Sequence, residues 1–266
     1  MLFDLHNDFP TALDYGKYSE YLSDKCDIAK ITAVIWTSAF DRNALAVVTD
    51  LTSKLSALPG TMPIALEDIG FSAERDIYKS FDFSRYLYCS LTWNNNNAFA
   101  GGAMDDGMLT RDGRLAVQAI NACGCAVDLA HLNKNSFYAV LDVAEFVLCS
   151  HTGFNNHPRS LDDEMIRALT DRNALIGLCA VTAFTDAKDA RAFSDVIDRF
   201  VQKYGIDCLA LGTDFMGSDD IPKDMASYED VAAAVDMLKS RGYTRGDIDK
   251  ILYKNALRFY NRRFKL

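Results

Sequence analysis

The sequence lacks both the long apolar runs of membrane-spanning proteins and a recognisable export leader. No apolar run approaches the ~18 residues that a transmembrane helix requires. The opening residues, MLFDLHNDFP, contain no basic segment, no apolar segment and no cleavage site, so we expect no secretory signal. We therefore expect a protein with no membrane partner.

Proline and glycine are also scarce. With 5 prolines and 15 glycines spread along 266 residues, the chain contains no linker rich in Pro, Gly or Ser. It has no internal repeat and no low-complexity tract. We expect a single domain over residues 1–266, a length that suits one large α/β unit.

Basic side chains are too few to balance the acidic ones. The chain has 28 Lys and Arg against 37 Asp and Glu, which gives a net charge of −9. This charge argues against broad binding to nucleic acid or anionic lipid. We expect no nucleic-acid partner.

The seven cysteines do not make the even set of a disulfide framework. Cys89, Cys149, Cys179 and Cys208 lie inside apolar runs, which is typical of small buried side chains in a reducing compartment. We expect a cytoplasmic protein.

What the sequence does contain is a repeated alternation of a short apolar run with a stretch of helical spacing. This alternation is typical of βα units and a parallel sheet. Eight such runs predict a (β/α)8 TIM barrel, and an open doubly wound sheet is the alternative because periodicity does not show closure. The predicted strands are LFDLHND from Leu2, ITAVIWTS from Ile31, MPIALEDIG from Met62, YLYCSLTW from Tyr86, CAVDLAHLN from Cys125, FVLCSHTG from Phe146, ALIGLCAVTA from Ala174 and CLALGTDF from Cys208.

Two helical regions carry clear end signals. The stretch LDDEMIRALTDRN follows Ser160, which we predict to be its N-cap. Residues 228–264 predict two helices, separated by Arg241-Gly242-Tyr243, with Thr244 capping the second.

Side chains that bind metals fall where the predicted strands end. Parallel strands of a barrel bring their C-terminal ends to one mouth, so these side chains are expected to converge there. Of only four histidines, His157 alone does not end a strand. The strand-end residues are His6, Asp8, Glu67, His131, His151 and Asp214.

The donor types indicate a metal centre. Alternate residues of a strand point to one side, so His6 and Asp8 can both face the mouth. Nitrogen and carboxylate donors suit Zn²⁺, and Mn²⁺, Fe²⁺ or Co²⁺ are also feasible. Glu67 could bridge two ions, and Asp214 could take a proton from a metal-activated water and pass it to a leaving nitrogen.

Each of these residues also has an ordinary structural interpretation. A single strand-end histidine is more often a hydrogen-bonded structural residue than a metal ligand. Asp8 or Asp214 alone could be a turn former, and Glu67 a solvated loop charge. Their common position at predicted strand ends favours metal binding for the set.

Seven stretches, in order from the first residues to the last, resemble the renal or membrane dipeptidase family, peptidase family M19, of the amidohydrolase-type barrels. The resemblance covers essentially the whole chain. The stretches are DLHNDFP from Asp4, ALEDIG from Ala65, SLTWNNN from Ser90, VDLAHLN from Val127, CSHTGFNNHPRSLDDEMIRAL from Cys149, LGTDFMG from Leu211 and NALRFY from Asn255.

This resemblance implies a role for each site residue. It implies two divalent ions, taken as Zn²⁺, with His6 and Asp8 on one, His131 and His151 on the other, and Glu67 bridging them. Asp214 matches the family's acid/base aspartate. Arg159 matches the arginine that binds the substrate's terminal carboxylate, a task suited to its guanidinium fork. Family members are often homodimers, so a homodimer is implied as well.

The chain departs from the family pattern at two positions. Leu91-Thr92-Trp93 stands where the family often has Leu-Thr-His, whose histidine polarises the scissile carbonyl. An indole N–H can donate a hydrogen bond there but carries no charge, so Trp93 is a candidate substrate contact, with Asn94 to Asn97 as further donors. Phe184 replaces a tyrosine that contacts the substrate.

The function implied is that of a metallo-dipeptidase, which hydrolyses the peptide bond of a small dipeptide with a metal-bridging hydroxide. Two alternatives stay open. One is a related amide, lactam or ester hydrolase with another small substrate. The other is a metal-binding paralogue with little activity.

Overall fold

The computed structural model describes residues 1–23, 25, 28–59 and 62–264. Eight parallel strands pair in chain order, and β1 pairs with β8, so the sheet closes into a barrel. This closure confirms the (β/α)8 prediction and rejects the open sheet. The strands are β1 (Leu2–Asn7), β2 (Ala29–Trp36), β3 (Ile64–Glu67), β4 (Tyr88–Ser90), β5 (Ala126–Asp128), β6 (Val147–Thr152), β7 (Leu175–Leu178) and β8 (Leu209–Leu211).

The helices lie between and after these strands. In the β3–β4 connection short 3₁₀ turns within Ile69–Lys79 replace an α-helix, because residues 74–76 have non-helical backbone angles. The α-helices are α1 (Phe9–Ala12), α2 (Tyr18–Ser23), α3 (Ala44–Ser56), α4 (Arg111–Ala122), α5 (Lys134–Leu141), α6 (Asp163–Asp171), α7 (Thr182–Thr185), α8 (Ala190–Tyr204), α9 (Tyr228–Asp236), α10 (Arg245–Asp249) and α11 (Asn255–Phe264).

One predicted helix cap is wrong and one is confirmed. The Asp162 side chain, and not Ser160, accepts the hydrogen bond from Met165 N that caps α6. The Ser160 hydroxyl instead donates to Asn155 and to the Phe184 carbonyl. Thr244 does cap α10, in a reciprocal capping box.

The barrel interior is filled at its N-terminal end and open at the other. Side chains such as Phe3 and Leu5 form an internal apolar cluster, which helix α11 covers with Phe259 and Tyr260. The Tyr260 ring lies 5.8 Å from that of Phe3. A second, larger cluster packs the outer helices onto the sheet. The C-terminal strand ends are therefore where a cavity can form.

Besides the strand pairing of Asp4 with Leu211, a buried side chain ties β1 to the chain that follows β8. The fully buried Asp4 carboxylate accepts hydrogen bonds from Thr213 N at 2.8 Å, Thr213 Oγ1 at 2.6 Å and Tyr228 OH at 2.7 Å. These bonds fix β1 against the start of the segment that carries Asp214.

The four cysteines of the apolar runs, Cys89, Cys149, Cys179 and Cys208, are all buried, which confirms that they pack as hydrophobic side chains. Within the described ranges, no helix combines the length and the apolar character needed to cross a membrane.

Candidate metal centre

The six predicted strand-end residues converge at the C-terminal mouth of the barrel. His6, Glu67 and His151 lie on β1, β3 and β6, while Asp8, His131 and Asp214 lie just after β1, β5 and β8. The five predicted metal ligands are each at most 5 % exposed, and Asp214 is half-buried. Three of these side chains, all histidines, surround the Glu67 carboxylate.

Three imidazole nitrogens surround a single oxygen of Glu67. Its Oε1 lies 2.8 Å from His131 Nε2, 3.5 Å from His151 Nε2 and 3.8 Å from His6 Nε2. His6 Nε2 also lies 3.3 Å from Asp8 Oδ2. Two triads, His6–Glu67–His151 and His6–Asp8–Asp214, each bring their ligand atoms within 4.8 Å of one another. The groups are thus close enough to share metal ions.

The electrostatics of the cluster keep two of its rings neutral. Burial lowers the pKa values of His131 and His151 well below their usual range, and the charges of Arg159 and His6 lower them further. Burial also opposes protonation of His6, but the carboxylates of Asp8 and Glu67 outweigh it and raise its pKa to about 10. A neutral imidazole with a free nitrogen is the form that binds a metal.

The pKa values of two carboxyl groups, those of Glu67 and Asp214, are raised. Burial raises the pKa of Glu67, partly offset by His6 and Arg159. Burial raises the pKa of Asp214 well above its usual range; the charge of His6 opposes this shift, and those of Asp8 and Glu67 increase it. Acids and bases crowded in this way are typical of functional sites.

The residues present fit a pair of divalent cations. His6 Nε2, Asp8 Oδ1 and Glu67 Oε1 are buried atoms without a hydrogen-bond partner, and such groups are costly to leave unpaired. The Nε2 atoms of His131 and His151 lie 2.9 Å apart. Cations placed among these lone pairs and carboxylates would satisfy all of them, with the mixed nitrogen and oxygen donors that Zn²⁺ accepts.

The remaining predicted residues line a cavity of about 180 Å³ above the cluster. Arg159, 4 % exposed, places Nη2 at 2.9 Å from His151 Nε2 and its guanidinium 5.5 Å from the Phe184 ring. Its Nε atom is buried and unpaired. Trp93 forms another wall, with its ring 5.9 Å from that of His131.

The asparagines after Trp93 have separate tasks. Asn94 lines the cavity, and its Oδ1 lies 2.9 Å from His131 Nδ1. The Asn97 amide donates to Asp68 and to the Leu91 carbonyl, so it supports the loop. His157 lies away from the ligand cluster, where its Nδ1 accepts a hydrogen bond from Arg159 N.

Two site residues have a left-handed backbone, which non-glycine residues adopt at a cost of about 1–3 kcal/mol. The φ angles are 69° at His131 and 62° at Asp214. Backbone hydrogen bonds fix both turns: Ala103 N donates to the His131 carbonyl, and Asp214 N donates to the His6 carbonyl. These two left-handed residues set the directions of a predicted metal ligand, His131, and of the predicted acid/base group, Asp214.

Several cavity residues had no place in the sequence-based prediction. Trp36, whose ring lies 4.8 Å from that of Trp93, ends β2 and so shares the strand-end position that singled out the other residues. Gly217 is required because a Cβ there would lie 2.4 Å from oxygens of Asp8 and Asp214. It belongs to the LGTDFMG stretch, but the need for glycine there is visible only in the folded structure.

Comparison with known families and proteins gives consistent matches. The family described as Membrane dipeptidase (Peptidase family M19) matches residues 78–263. An uncharacterized protein from the pqqA 5′ region of Klebsiella pneumoniae is 30 % identical over 71 % of this chain and 76 % of its own length. An uncharacterized dipeptidase of Schizosaccharomyces pombe is 25 % identical over 95 % of this chain, which spans 66 % of that protein.

The fold also matches a solved structure. A metallo peptidase from Rhodobacter sphaeroides, crystallised with a phosphinate mimic of L-Ala-D-Ala, superimposes with a TM-score of 0.81 at 16 % identity. The match covers 98 % of this chain and 99 % of that one. At this identity the likeness concerns the fold.

Proposed function

Because this chain belongs to the membrane dipeptidase family, peptidase family M19, we propose that it is a zinc-dependent dipeptidase. The observation that carries the proposal is the cluster of three histidines around Glu67 Oε1, with Arg159 beside it. One ion would be held by His6 and Asp8 and the other by His131 and His151, with Glu67 between them.

When bound, the paired ions acidify a water molecule and polarise the scissile carbonyl. As the oxygen of that water bonds to the scissile carbonyl carbon, the Asp214 carboxylate would accept the water's proton and deliver it to the leaving amide nitrogen as the C–N bond breaks. Its position at the cavity lip, with its backbone tied to the His6 carbonyl, supports this task.

Arg159 would bind the free C-terminal carboxylate of the dipeptide. Among the described residues no carboxylate forms an ion pair with Arg159, and its buried Nε has no partner. A bound carboxylate would supply the missing acceptor in a bidentate pair. The small cavity and its aromatic walls, Trp36, Trp93 and Phe184, favour a short substrate over a longer peptide.

Replacing Arg159 with Lys tests this recognition. Hydrogen bonds to charged groups are worth about 1.5–3 kcal/mol, so kcat/KM for dipeptides with a free carboxylate is expected to fall roughly 10- to 150-fold. Steady-state kinetics on paired substrates, one with a free and one with an amidated C-terminus, measure the effect. The amidated substrate should be poor for the wild type and change little in the variant.

Arg199→Lys, an exposed arginine on α8, is the matched control and should leave both substrates unaffected. Metal content must be equal in all proteins, because Arg159 also contacts His151. Equal turnover of free and amidated substrates by the wild type would contradict the dipeptidase proposal and favour the related amide, lactam or ester hydrolase.

A further inference from the structure

Beneath the ligand cluster lies a buried hydrogen-bond network that joins two of its histidines. The Ser150 hydroxyl lies 2.8 Å from His151 Nδ1, 3.3 Å from His6 Nδ1 and 2.5 Å from Asp128 Oδ2. All four residues are at most 1 % exposed. The network is therefore shielded from bulk solvent.

The direction of each hydrogen bond follows from the groups at the ends of the network, which can act only as donors or only as acceptors. Arg159 only donates, and its Nη2 lies 2.9 Å from His151 Nε2, so that nitrogen accepts. The proton of the neutral His151 ring is then on Nδ1, which donates to Ser150. Ser150 in turn donates its single proton to the Asp128 carboxylate.

Asp128 is itself fixed by the backbone. Its Oδ1 accepts hydrogen bonds from Ala130 N at 3.0 Å and Ser150 N at 2.9 Å, which leaves Oδ2 for the Ser150 hydroxyl. The carboxylate thus spans β5 and β6 and determines which way the hydroxyl points.

The second lone pair of Ser150 faces His6. His6 Nδ1 is shared between Ser150 and the Tyr88 hydroxyl at 3.0 Å, and that hydroxyl donates to the Leu5 carbonyl at 2.8 Å. Both hydroxyl oxygens therefore accept from His6 Nδ1–H. With the Nδ1 proton fixed in this way, Nε2 is the ring nitrogen left to bind a metal, and it faces Asp8 and Glu67.

We propose that Ser150, oriented by Asp128, is a positioning residue that holds His6 and His151 together in the Nδ1–H tautomer and so aims both Nε2 lone pairs into the metal centre. This inference rests on the metal centre of the proposed function, but not on the substrate. In that assignment His6 and His151 serve different ions, so one hydroxyl prepares both subsites at once. Partners of this kind fix the tautomer of ligating histidines and raise metal affinity.

The tautomers can be read directly from histidine ¹⁵N chemical shifts in the metal-free protein, since the chain has only four histidines to assign. In the wild type the single ring proton of His151 is expected on Nδ1. The His6 ring, whose pKa is about 10, is expected to be doubly protonated without metal and to keep only its Nδ1 proton once Zn²⁺ is bound. A wild-type spectrum with the His151 proton on Nε2 overturns the proposal, whatever the variants do.

Asp128→Asn is the most informative variant. The amide oxygen can keep both backbone hydrogen bonds, while the amide NH₂ now donates to Ser150. The Ser150 proton is then released to His151 Nδ1, and the His151 tautomer should switch to Nε2–H. Zn²⁺ affinity, measured by competition with a chromophoric chelator, is expected to fall roughly 10- to 100-fold.

Ser150→Ala should weaken Zn²⁺ binding at both subsites without imposing the Nε2–H tautomer on His151. Ser194→Ala, which removes a buried hydroxyl on α8, controls for the loss of a buried hydroxyl and should leave affinity and spectrum unchanged. Unchanged Zn²⁺ affinity and an unchanged His151 tautomer in folded Asp128→Asn would overturn the proposal. Zn²⁺ binding with the expected tautomers but no dipeptide turnover would refute only the proposed substrate.

Discussion

Replacing Asp214 with Asn is expected to lower kcat for dipeptide hydrolysis by orders of magnitude while leaving the metal content intact. An amide has nearly the same shape but cannot take a proton from water or pass it to the leaving nitrogen. A positioned acid or base contributes about 10²–10⁴-fold, so kcat should fall by that factor. Steady-state kinetics at saturating dipeptide measure kcat, and elemental analysis of the same sample measures the metal content.

Asp219→Asn provides the control, because this exposed aspartate lies in the same loop. It should retain full activity. If Asp214→Asn stays active at wild-type metal content, Asp214 does not transfer the proton. If the wild type binds metal but hydrolyses no dipeptide, the dipeptidase proposal fails, and a related hydrolase with another substrate and a metal-binding paralogue are the alternatives left.

Replacing Glu67 with Gln is expected to prevent the site from binding two metal ions together. Gln keeps one carbonyl oxygen but loses the negative charge that faces three histidines. Metal ions supply several kcal/mol of charge stabilisation, so kcat/KM should fall at least ~10²-fold, at about 1.4 kcal/mol per factor of ten.

The same variant should lose thermal stabilisation by metal. At a free Zn²⁺ concentration about 1,000 times Kd, binding at one site adds roughly 4 kcal/mol to the free energy of unfolding. For a domain of this size that gain corresponds to a Tm increase on the order of 10 °C. Differential scanning calorimetry with and without Zn²⁺ should show the increase in the wild type and a much smaller one in Glu67→Gln.

Glu74→Gln, an exposed change in the 3₁₀ segment after β3, is the matched control and should behave as the wild type. An undiminished Zn²⁺-dependent Tm increase in Glu67→Gln would contradict a bridging role for this carboxylate.

The barrel could be predicted because each strand has its own signal in the local sequence, an apolar run that ends in polar residues. The site could be predicted for the same reason: His6, Glu67 and His151 end or nearly end their strands, and parallel strands bring those ends together. The ends of the strands are not marked as clearly in the sequence. The predicted fifth strand runs to Asn133, whereas β5 ends at Asp128, because the chain turns there to set the left-handed backbone of His131.

Other features depend on distances between segments that sequence does not encode locally. Ser160 and Asp162 are equally good helix caps by residue type. In the fold the Ser160 hydroxyl is hydrogen-bonded to Asn155 and to the Phe184 carbonyl, so Asp162 caps the helix instead. Likewise, the closeness of Ser150 to His6, 144 positions away, follows from barrel closure. The residue pattern within one strand does not predict such a contact.

We propose that five side chains hold two divalent metal ions at the mouth of the barrel. Elemental analysis of the purified protein, after equilibration with Zn²⁺ and removal of loosely bound metal, tests it most directly. The arrangement of His6, Asp8, Glu67, His131 and His151 predicts two ions per chain. One ion or none would contradict the bridge at Glu67 and the mechanism that depends on it.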